Sequence, residues 1–311
     1  MTLGFGQGKF INYQHSAKHY LKKCMVLSAC LLSIFVSYEN QAKPEFKAQV
    51  YYDYRPFSDA YRTQTPANSV AASNLLLLNE ISNLVDVRFL PTMRLLTELD
   101  TPNNQAVCSL FKLQTSAREK DYYFSLPISF LSNNRLFLRR GLPALSPNLL
   151  NDEGEVISLA AIFGPSSTQK IMLWEQISYG ETVDKGLNEI PDSNKDFIQV
   201  ESSHGSLVKM IDRGRTDYAI LYPTEIADFE KEFYPLDLLS YPIAGVGAVS
   251  TGHLMCNKNQ ASIELLLKVD KAISALYESS EFIQANTLNI SDSESKIVIA
   301  AINKATVNRE D

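Results

Sequence analysis

Arg118 is the side chain of this sequence best suited to binding a small anion. It follows a predicted strand and a short polar turn that contains Thr115. A guanidinium group offers a fixed, planar pair of donors that can bind a carboxylate through both oxygens. The alternative interpretation is a surface arginine that forms an ion pair with Glu119 or Asp121, which is a common and weak arrangement.

Other side chains are candidates for a binding site because of their type and position. Tyr54 follows a predicted strand and could stack on a ligand, although half-buried packing explains a tyrosine there equally well. Arg94 lies one turn into a predicted helix and could face a cleft. Ser166, Ser167 and Thr168 precede a predicted helix, where they would either cap it or offer its N-terminus to an anion.

Few residues of this sequence could act as catalytic groups. His204 and His253 are the only histidines beyond residue 42, and a nucleophile, Ser206, lies close to His204. No acid–His–Ser arrangement can be identified from the sequence. The chain also has no CxxC motif and no Cys/His cluster, so a zinc site lacks ligands. We expect a protein that is not an enzyme and that needs no metal or cofactor.

Composition and charge limit the class of partner. The chain has 311 residues, of which 45% are hydrophobic and 21% charged, as in ordinary globular proteins. Its formal net charge is −6, and residues 1–42 carry four lysines and one glutamate, so the rest of the chain has a net charge of −9. Because an acidic surface repels phosphate backbones, we expect no nucleic-acid partner.

The first 42 residues resemble a signal peptide. Lysines at 18, 22 and 23 precede an apolar run at 24–38, and Ala42 follows as a small residue for cleavage. The run is shorter than the roughly 20 apolar residues that span a bilayer, although an uncleaved anchor is the alternative. Residues 27–30 have the order of a lipid-attachment motif that would modify Cys30. Because few apolar residues precede it and a long apolar run follows, we interpret this order as a coincidence. We therefore predict an exported protein whose mature part begins near residue 43.

Export changes the interpretation of the four cysteines. Cys24 and Cys30 would leave with the signal peptide, so the mature chain would keep Cys108 and Cys256. A single pair in an oxidising compartment favours a disulfide bond. It would stabilise the fold by about 4–5 kcal/mol through the entropy of closing a loop of about 150 residues. Two separate buried thiols are the alternative.

Strands and helices alternate in the first part of the mature chain. A strand at 49–54 ends before Pro56, and a loop follows it. A helix at 68–84, capped by Asn68 or Ser69, comes next. The remaining predicted elements are a strand at 85–90, a helix at 92–99 and a strand at 106–111. This order is typical of parallel strands covered by helices.

A second block of the same kind follows. A strand at 136–141 is predicted to end the first block at a crossing between two lobes. The later predicted strands are at 157–163, 197–200, 217–222 and 253–256. The later predicted helices run through Trp174, at 206–213, near 263–277 and at 297–305. We expect an α/β protein whose first lobe comprises residues 43–140 and 250–311, and whose second lobe comprises 141–249. Ligands of such sheets bind beyond the carboxyl ends of the strands, in the cleft between domains.

The order of several motifs resembles the bacterial extracellular solute-binding proteins of family 3, the polar-amino-acid receptors of ABC importers. Thr115 to Glu119 followed by Tyr123 to Pro127 is similar to that family's T-x-x-R … F-S-x-P run. The other matching stretches are Tyr54 to Ser58, Arg139 to Gly141, Leu207 to Tyr218 and His253 to Lys258. The resemblance covers roughly residues 47–285. It implies the type 2 periplasmic-binding-protein architecture, with two hinge crossings.

The resemblance also implies roles for particular residues. Arg118 would hold a ligand carboxylate, with Thr115 adding a hydroxyl or backbone donor. Two features differ from the amino-acid receptors. Tyr222 stands where those receptors have the acid that binds the ligand's amine, and residues 58–68 contain no glycine, although the family's loop after the first strand does. We therefore expect a neutral or ring-bearing ligand that keeps a carboxylate, and a divergent branch of the family.

These observations predict a periplasmic, monomeric protein that closes two lobes on a small molecule. It would deliver that ligand to an ABC permease or act with a membrane sensor. The alternative is an envelope module that binds a protein on the same scaffold and has lost small-molecule binding.

Overall fold

A computed structural model of the protein describes Met1 and residues 47–164, 167–175, 177–199 and 205–307. The predicted signal segment, Ser166 and His204 lie outside the described residues. Across the described ranges we find no helix with both the length and the apolar character needed to cross a membrane.

Strands β1 to β5 and β11 form the first sheet, in the order β2-β1-β3-β11-β4, with β5 also paired to β11. Their bounds are β1 (Ala48–Tyr52), β2 (Val85–Phe89), β3 (Val107–Leu113), β4 (Tyr122–Phe124), β5 (Ser129–Ser132) and β11 (Val249–Asn257). β1 pairs in parallel with β2 and β3, so the carboxyl ends of these three strands share one edge. β11 runs antiparallel to β3, β4 and β5.

The described helices are α1 (Arg55–Thr63), α2 (Ser69–Glu80), α3 (Thr92–Asp100), α4 (Glu181–Asn188), α5 (Ser206–Asp212), α6 (Pro223–Glu232), α7 (Gln260–Leu276), α8 (Ser280–Asn286) and α9 (Asp292–Val307). Apolar residues of α1, α2, α7, α8 and α9 form one core with the first sheet. Asn68 caps α2 as predicted, because its Oδ1 accepts a hydrogen bond from the amide of Ala71 at 3.0 Å. We call the first sheet and these helices, with α3, the first lobe.

The predicted disulfide is confirmed. Cys108 on β3 and Cys256 on β11 are directly opposite in the antiparallel register and form a disulfide bond, and both are fully buried. The bond therefore joins a strand from the start of the first lobe to the strand by which the chain returns to it.

The second sheet has the order β10-β6-β9-β7-β8. Its strands are β6 (Arg135–Leu138), β7 (Ile171–Trp174), β8 (Lys195–Ile198), β9 (Tyr218–Leu221) and β10 (Leu239–Pro242). Alternate residues of β6 and β9 pack into two different hydrophobic clusters, one on each face of the sheet. This period of two is the mark of a strand buried on both sides. We call this sheet with α4, α5 and α6 the second lobe.

The chain crosses between the sheets twice, at Asn133–Asn134 and at residues 243–248. The two crossings are hydrogen-bonded to each other, since the backbone N–H of Asn133 donates to Ala248 O at 3.1 Å and its Nδ2 donates to Gly247 O at 2.9 Å. The strand that we predicted to end the first block belongs instead to the second sheet, where β6 pairs with β9 and β10. The first crossing therefore precedes this strand.

Other predicted elements are wrong for local reasons. α1 begins where we expected a loop, because a proline is tolerated in the first turn of a helix, where no hydrogen-bonded N–H is needed. The predicted strand at 157–163 is a short 3₁₀ turn at Ala160–Ile162. The predicted helix through Trp174 is strand β7. A run of only four apolar residues has no period that distinguishes a buried strand from a helix.

Candidate ligand site

The two lobes meet beside the carboxyl ends of strands from both sheets, and we call this junction the cleft. β1 and β3 end on the first lobe near Tyr54 and Arg118, and β9 ends on the second lobe at Tyr222. Among the described contacts that join the lobes, Asn68 Nδ2 donates to Asp228 Oδ2 and Ser116 Oγ donates to Glu181 Oε2, both at 2.8 Å. The residues around these contacts form the candidate ligand site, at the strand ends where such folds bind ligands.

Arg118 begins a single 3₁₀ turn after β3 and is half-buried. The Oγ1 of Thr115 accepts a hydrogen bond from the backbone N–H of Arg118 at 3.3 Å, and Arg118 Nη1 donates to Leu113 O at 2.9 Å. Among the described residues, no carboxylate lies within ion-pair distance of this guanidinium, and Glu119 accepts instead from the amide of Gln114. The described chain thus leaves most of the Arg118 donors available to a ligand.

The electrostatic surroundings of Arg118 combine both lobes. Burial lowers the pKa of Arg118, and the negative charge of Asp184 opposes that shift most strongly, followed by Tyr122, Asp53 and Tyr222. Asp184 and Tyr222 belong to the second lobe. Arg118 therefore faces the second lobe across the cleft.

A buried ion pair lies beneath this site. Lys112 Nζ on β3 contacts Asp53 Oδ2 at 2.8 Å, and the side chains of both residues are 9% exposed. Thr92 at the start of α3 donates to the same carboxylate oxygen at 3.0 Å. Asp53 follows the end of β1, so this cluster fixes the strand ends from which Tyr54 and Arg118 extend.

Tyr54 forms part of the wall on the first lobe. Its ring packs edge-on against Phe111, with ring centroids 5.7 Å apart, and its hydroxyl accepts a hydrogen bond from Asn68 Nδ2 at 3.0 Å. Burial raises the pKa of Tyr54, the bond from Asn68 partly opposes this, and the carboxylates of Asp228 and Glu225 add to the rise. Tyr54 is therefore a neutral hydroxyl at neutral pH.

Tyr222 lies at the junction of the second lobe and the crossings. It is the residue before α6, and its backbone N–H donates to Glu225 Oε2 at 2.8 Å. Burial raises the pKa of Tyr222, while contacts of its hydroxyl with Ser250 and Asn134 oppose the rise. An aromatic ring with a neutral hydroxyl thus stands at the end of β9.

Asp184 of the second lobe acts on Arg118, and its place beside the candidate site was not predicted from the sequence. It lies in the first turn of α4, where it accepts hydrogen bonds from Ser178 Oγ at 2.5 Å and from the backbone N–H of Tyr179 at 2.8 Å. The carbonyl oxygen of the same residue, Tyr179, accepts a hydrogen bond from Asn134 Nδ2 at 3.2 Å. The Oδ1 of Asn134 is buried and finds no hydrogen-bond partner among the described residues. In the sequence, the only indication of Asp184 is an acidic residue near the start of α4, a helix that we did not predict.

Three predicted site residues lie apart from this cluster. Arg94 is exposed on α3, where it is 3.9 Å from Glu98 one turn further on. Ser167 and Thr168 precede β7, which is parallel to β9, so they lie at the opposite end of the second sheet from Tyr222. The expected helix N-terminus does not occur at these residues, because β7 follows them. The helix that faces the Arg118 turn is α4, through Glu181.

Metal binding has no support in the described part of the chain, which contains no group of three His, Cys, Asp or Glu side chains placed to hold an ion. His253 is buried with both ring nitrogens bonded, one to Thr251 Oγ1 at 2.9 Å and one to Ser125 O at 2.8 Å.

Solved structures with two lobes of this kind match the chain over most of its length. A histidine kinase sensor domain with similarity to periplasmic binding proteins has a TM-score of 0.56 and 13% identity, and the match covers 79% of this chain and 96% of that one. The fold is that of the two-lobed periplasmic binding proteins.

Other structures with this fold are an ABC transporter protein and an amino-acid-binding protein. A putative L-cystine ABC transporter protein from Listeria monocytogenes matches with a TM-score of 0.55 and 14% identity, over 80% of this chain and 97% of that one. An ancestral arginine-binding protein bound to glutamine has a TM-score of 0.54 and 12% identity, over 78% and 97% of the two chains. No protein-family model and no curated protein matches the sequence.

Proposed function

We propose that this protein is an exported solute-binding protein that closes its lobes on a small carboxylate held by Arg118. The observation that carries the proposal is the guanidinium itself. It is half-buried at a strand end, it makes one described hydrogen bond, to Leu113 O, and it has no described ion-pair partner. A charged group removed from water in this way is costly unless a partner binds it, and a carboxylate ligand supplies two acceptors in the right geometry.

The second lobe supports a ligand with a hydrogen-bond donor at its other end. Of the charges around Arg118, that of Asp184 acts on it most strongly. The Oδ1 of Asn134, which has no hydrogen-bond partner among the described residues, belongs to the side chain that binds the carbonyl oxygen of Tyr179. Tyr54 and Tyr222 add aromatic surface. These groups favour a small carboxylate that also carries an N–H or O–H group, with a ring as a suitable body. Thr115 orients the Arg118 turn through its hydroxyl.

Two settings fit such a protein. Structures of the same fold include a putative L-cystine ABC transporter protein and the sensor domain of a histidine kinase. We propose a monomer in the periplasm that presents its closed form to an ABC permease or to a membrane sensor. The proposed lobes are those defined by the two sheets, with the crossings as the hinge.

Binding without catalysis is the function that the site supports. His253 is engaged through both ring nitrogens within the first lobe, and burial lowers its pKa, so its imidazole is a packed structural group. The hydroxyls and carboxylates of the cleft that the structure describes are engaged in hydrogen bonds that position helices and crossings.

The test is a ligand screen followed by substitution of the arginine. Thermal unfolding of the purified protein is measured against amino acids, small carboxylates, peptides and sugars. A specific ligand at 100 times its Kd stabilises the protein by about 2.7 kcal/mol, a shift of a few degrees for a chain of this size. Arg118→Gln abolishes the shift, whereas Arg62→Gln, an exposed arginine paired with Asp59, leaves it unchanged. A shift that survives Arg118→Gln contradicts the proposal.

A further inference from the structure

Asn68 makes hydrogen bonds to three different parts of the protein. Its Oδ1 accepts from the backbone N–H of Ala71, at the start of α2. Its Nδ2 donates to Tyr54 OH at 3.0 Å and to Asp228 Oδ2 at 2.8 Å. Asp228 is on α6, 160 residues away in the chain and in the second lobe. One side chain thus links a helix terminus, a wall of the cleft and the opposite lobe.

The cap fixes the orientation of this amide. An asparagine has one acceptor and two N–H donors, and the acceptor is committed to the N-terminus of α2. The two donors are therefore directed away from α2, towards Tyr54 and Asp228. Asn68 is 7% exposed while the lobes are in contact, so its bond to Asp228 is shielded from competing water. Losing a buried bond to a charged group costs more than losing an ordinary exposed one.

The described hydrogen bond between Ser116 and Glu181 also joins the lobes but is of a different kind. Ser116 and Glu181 are both exposed, and their 2.8 Å hydrogen bond is open to competition from water. Exposed polar contacts contribute little to stability. A contact of the Tyr222 hydroxyl with Ser250 lies next to the second crossing. Away from the crossings, the contact of Asn68 with Asp228 is thus the one whose loss should be felt when the lobes separate.

We propose that Asn68 acts as a latch between the lobes. Its two Nδ2 hydrogen bonds, to Tyr54 and Asp228, hold the lobes closed and position Tyr54 in the closed cleft. The latch deepens the proposed binding function and derives its purpose from it. When the lobes part, the bond to Asp228 breaks while the cap on α2 persists. Tyr54 then keeps its donor from Asn68 but loses the anchor that ties that amide to the second lobe. Asn68 is in this sense a positioning residue for a cleft residue.

Substitutions that reverse the donor and acceptor test the latch. Asn68→Asp keeps a good helix cap but replaces the donor with a carboxylate that repels Asp228. We expect a larger radius of gyration in X-ray scattering of the ligand-free protein. Adding Asp228→Asn restores a donor and an acceptor in exchanged positions, and the radius returns to the wild-type value. Asn79→Asp is the matched control, since it adds the same charge at an exposed position on the same helix and leaves the radius unchanged.

The scattering measurement contains no ligand, so its outcome is independent of whether the cleft binds a carboxylate. If Asn68→Asp does not fold, Asn68→Ser replaces it, because serine also caps a helix but its hydroxyl is too short to reach Asp228; the same expansion is expected. A folded Asn68 variant with the wild-type radius overturns the latch. So does a double variant that stays as expanded as Asn68→Asp alone.

Discussion

Asp184 and Arg118 act on each other across the cleft without forming an ion pair. Asp184 is the strongest of the charges that oppose the lowered pKa of Arg118, and no described carboxylate lies within ion-pair distance of this guanidinium. A ligand between them would meet a positive group on the first lobe and a negative group on the second.

This relationship predicts that Asp184 determines which charge a ligand can carry on the side that faces the second lobe. Asp184→Asn should weaken binding of a carboxylate that carries an ammonium group by about tenfold or more, since a bond to a charged group is lost. The same change should strengthen binding of a plain carboxylate, because a repelling charge is removed. Calorimetric titration with one ligand of each kind measures both effects. Glu189→Gln, exposed just beyond the end of α4, is the control. Equal changes for the two ligands would contradict this role.

His253 predicts how stability depends on pH. Burial lowers its pKa from the ordinary value, and its hydrogen bond to Ser125 O opposes the shift only in part. The unfolded chain therefore binds a proton more readily than the folded one, so stability is fully present above the unfolded pKa of about 6.5 and is lost as pH falls below it.

The check is the midpoint of thermal unfolding at about pH 7.5 and about pH 5.5, which brackets the unfolded pKa of histidine. The midpoint should be lower at the acid value. In His253→Gln, which keeps a donor and an acceptor, the difference between the two midpoints should shrink. The half-buried carboxyl of Asp270 has a pKa that burial raises, so it changes stability in the opposite sense at lower pH. The comparison therefore stops at about pH 5.5. A pH dependence unchanged by His253→Gln would assign the effect to other groups.

The disulfide predicts a large stabilisation. It closes a chain segment of 148 residues, for which the loop entropy corresponds to about 4–5 kcal/mol. Replacing Cys108 and Cys256 together with alanine should lower the free energy of unfolding by about this amount, measured by chemical denaturation. Because both sulfurs are buried, a reductant should have little effect on the folded protein at low temperature. Equal stability of the double variant and the wild type would show that the bond does not form in solution.

The first lobe could be predicted from the sequence to a large extent. Alternating strands, the cap at Asn68 and the pairing of Cys108 with Cys256 are all encoded locally or by elimination, and the structure confirms them. α1 and β7 could not be predicted, because Pro56 is compatible with either a loop or the first turn of a helix, and Ile171–Trp174 is too short to show a period. The first crossing was misplaced because a buried strand carries no mark of the sheet it joins.

Part of the candidate site follows from the sequence, and its ligand-binding role stays a prediction. Arg118, Thr115, Tyr54 and Tyr222 lie near the cleft, and each follows a strand end that the sequence indicates. Asp184 and Asp228 could not be identified, because each acquires its role from a residue of the other lobe. Asn68 was identified as a cap, but its bond to Asp228 joins residues 160 positions apart and has no sequence signal.

A ligand screen by thermal unfolding, carried out in parallel on the wild type and on Arg118→Gln, decides whether Arg118 binds a carboxylate. We expect at least one small carboxylate to raise the unfolding midpoint of the wild type by a few degrees and to leave that of Arg118→Gln unchanged. A carboxylate that stabilises both proteins equally, or no stabilisation of the wild type by any ligand in a broad library, would contradict this expectation.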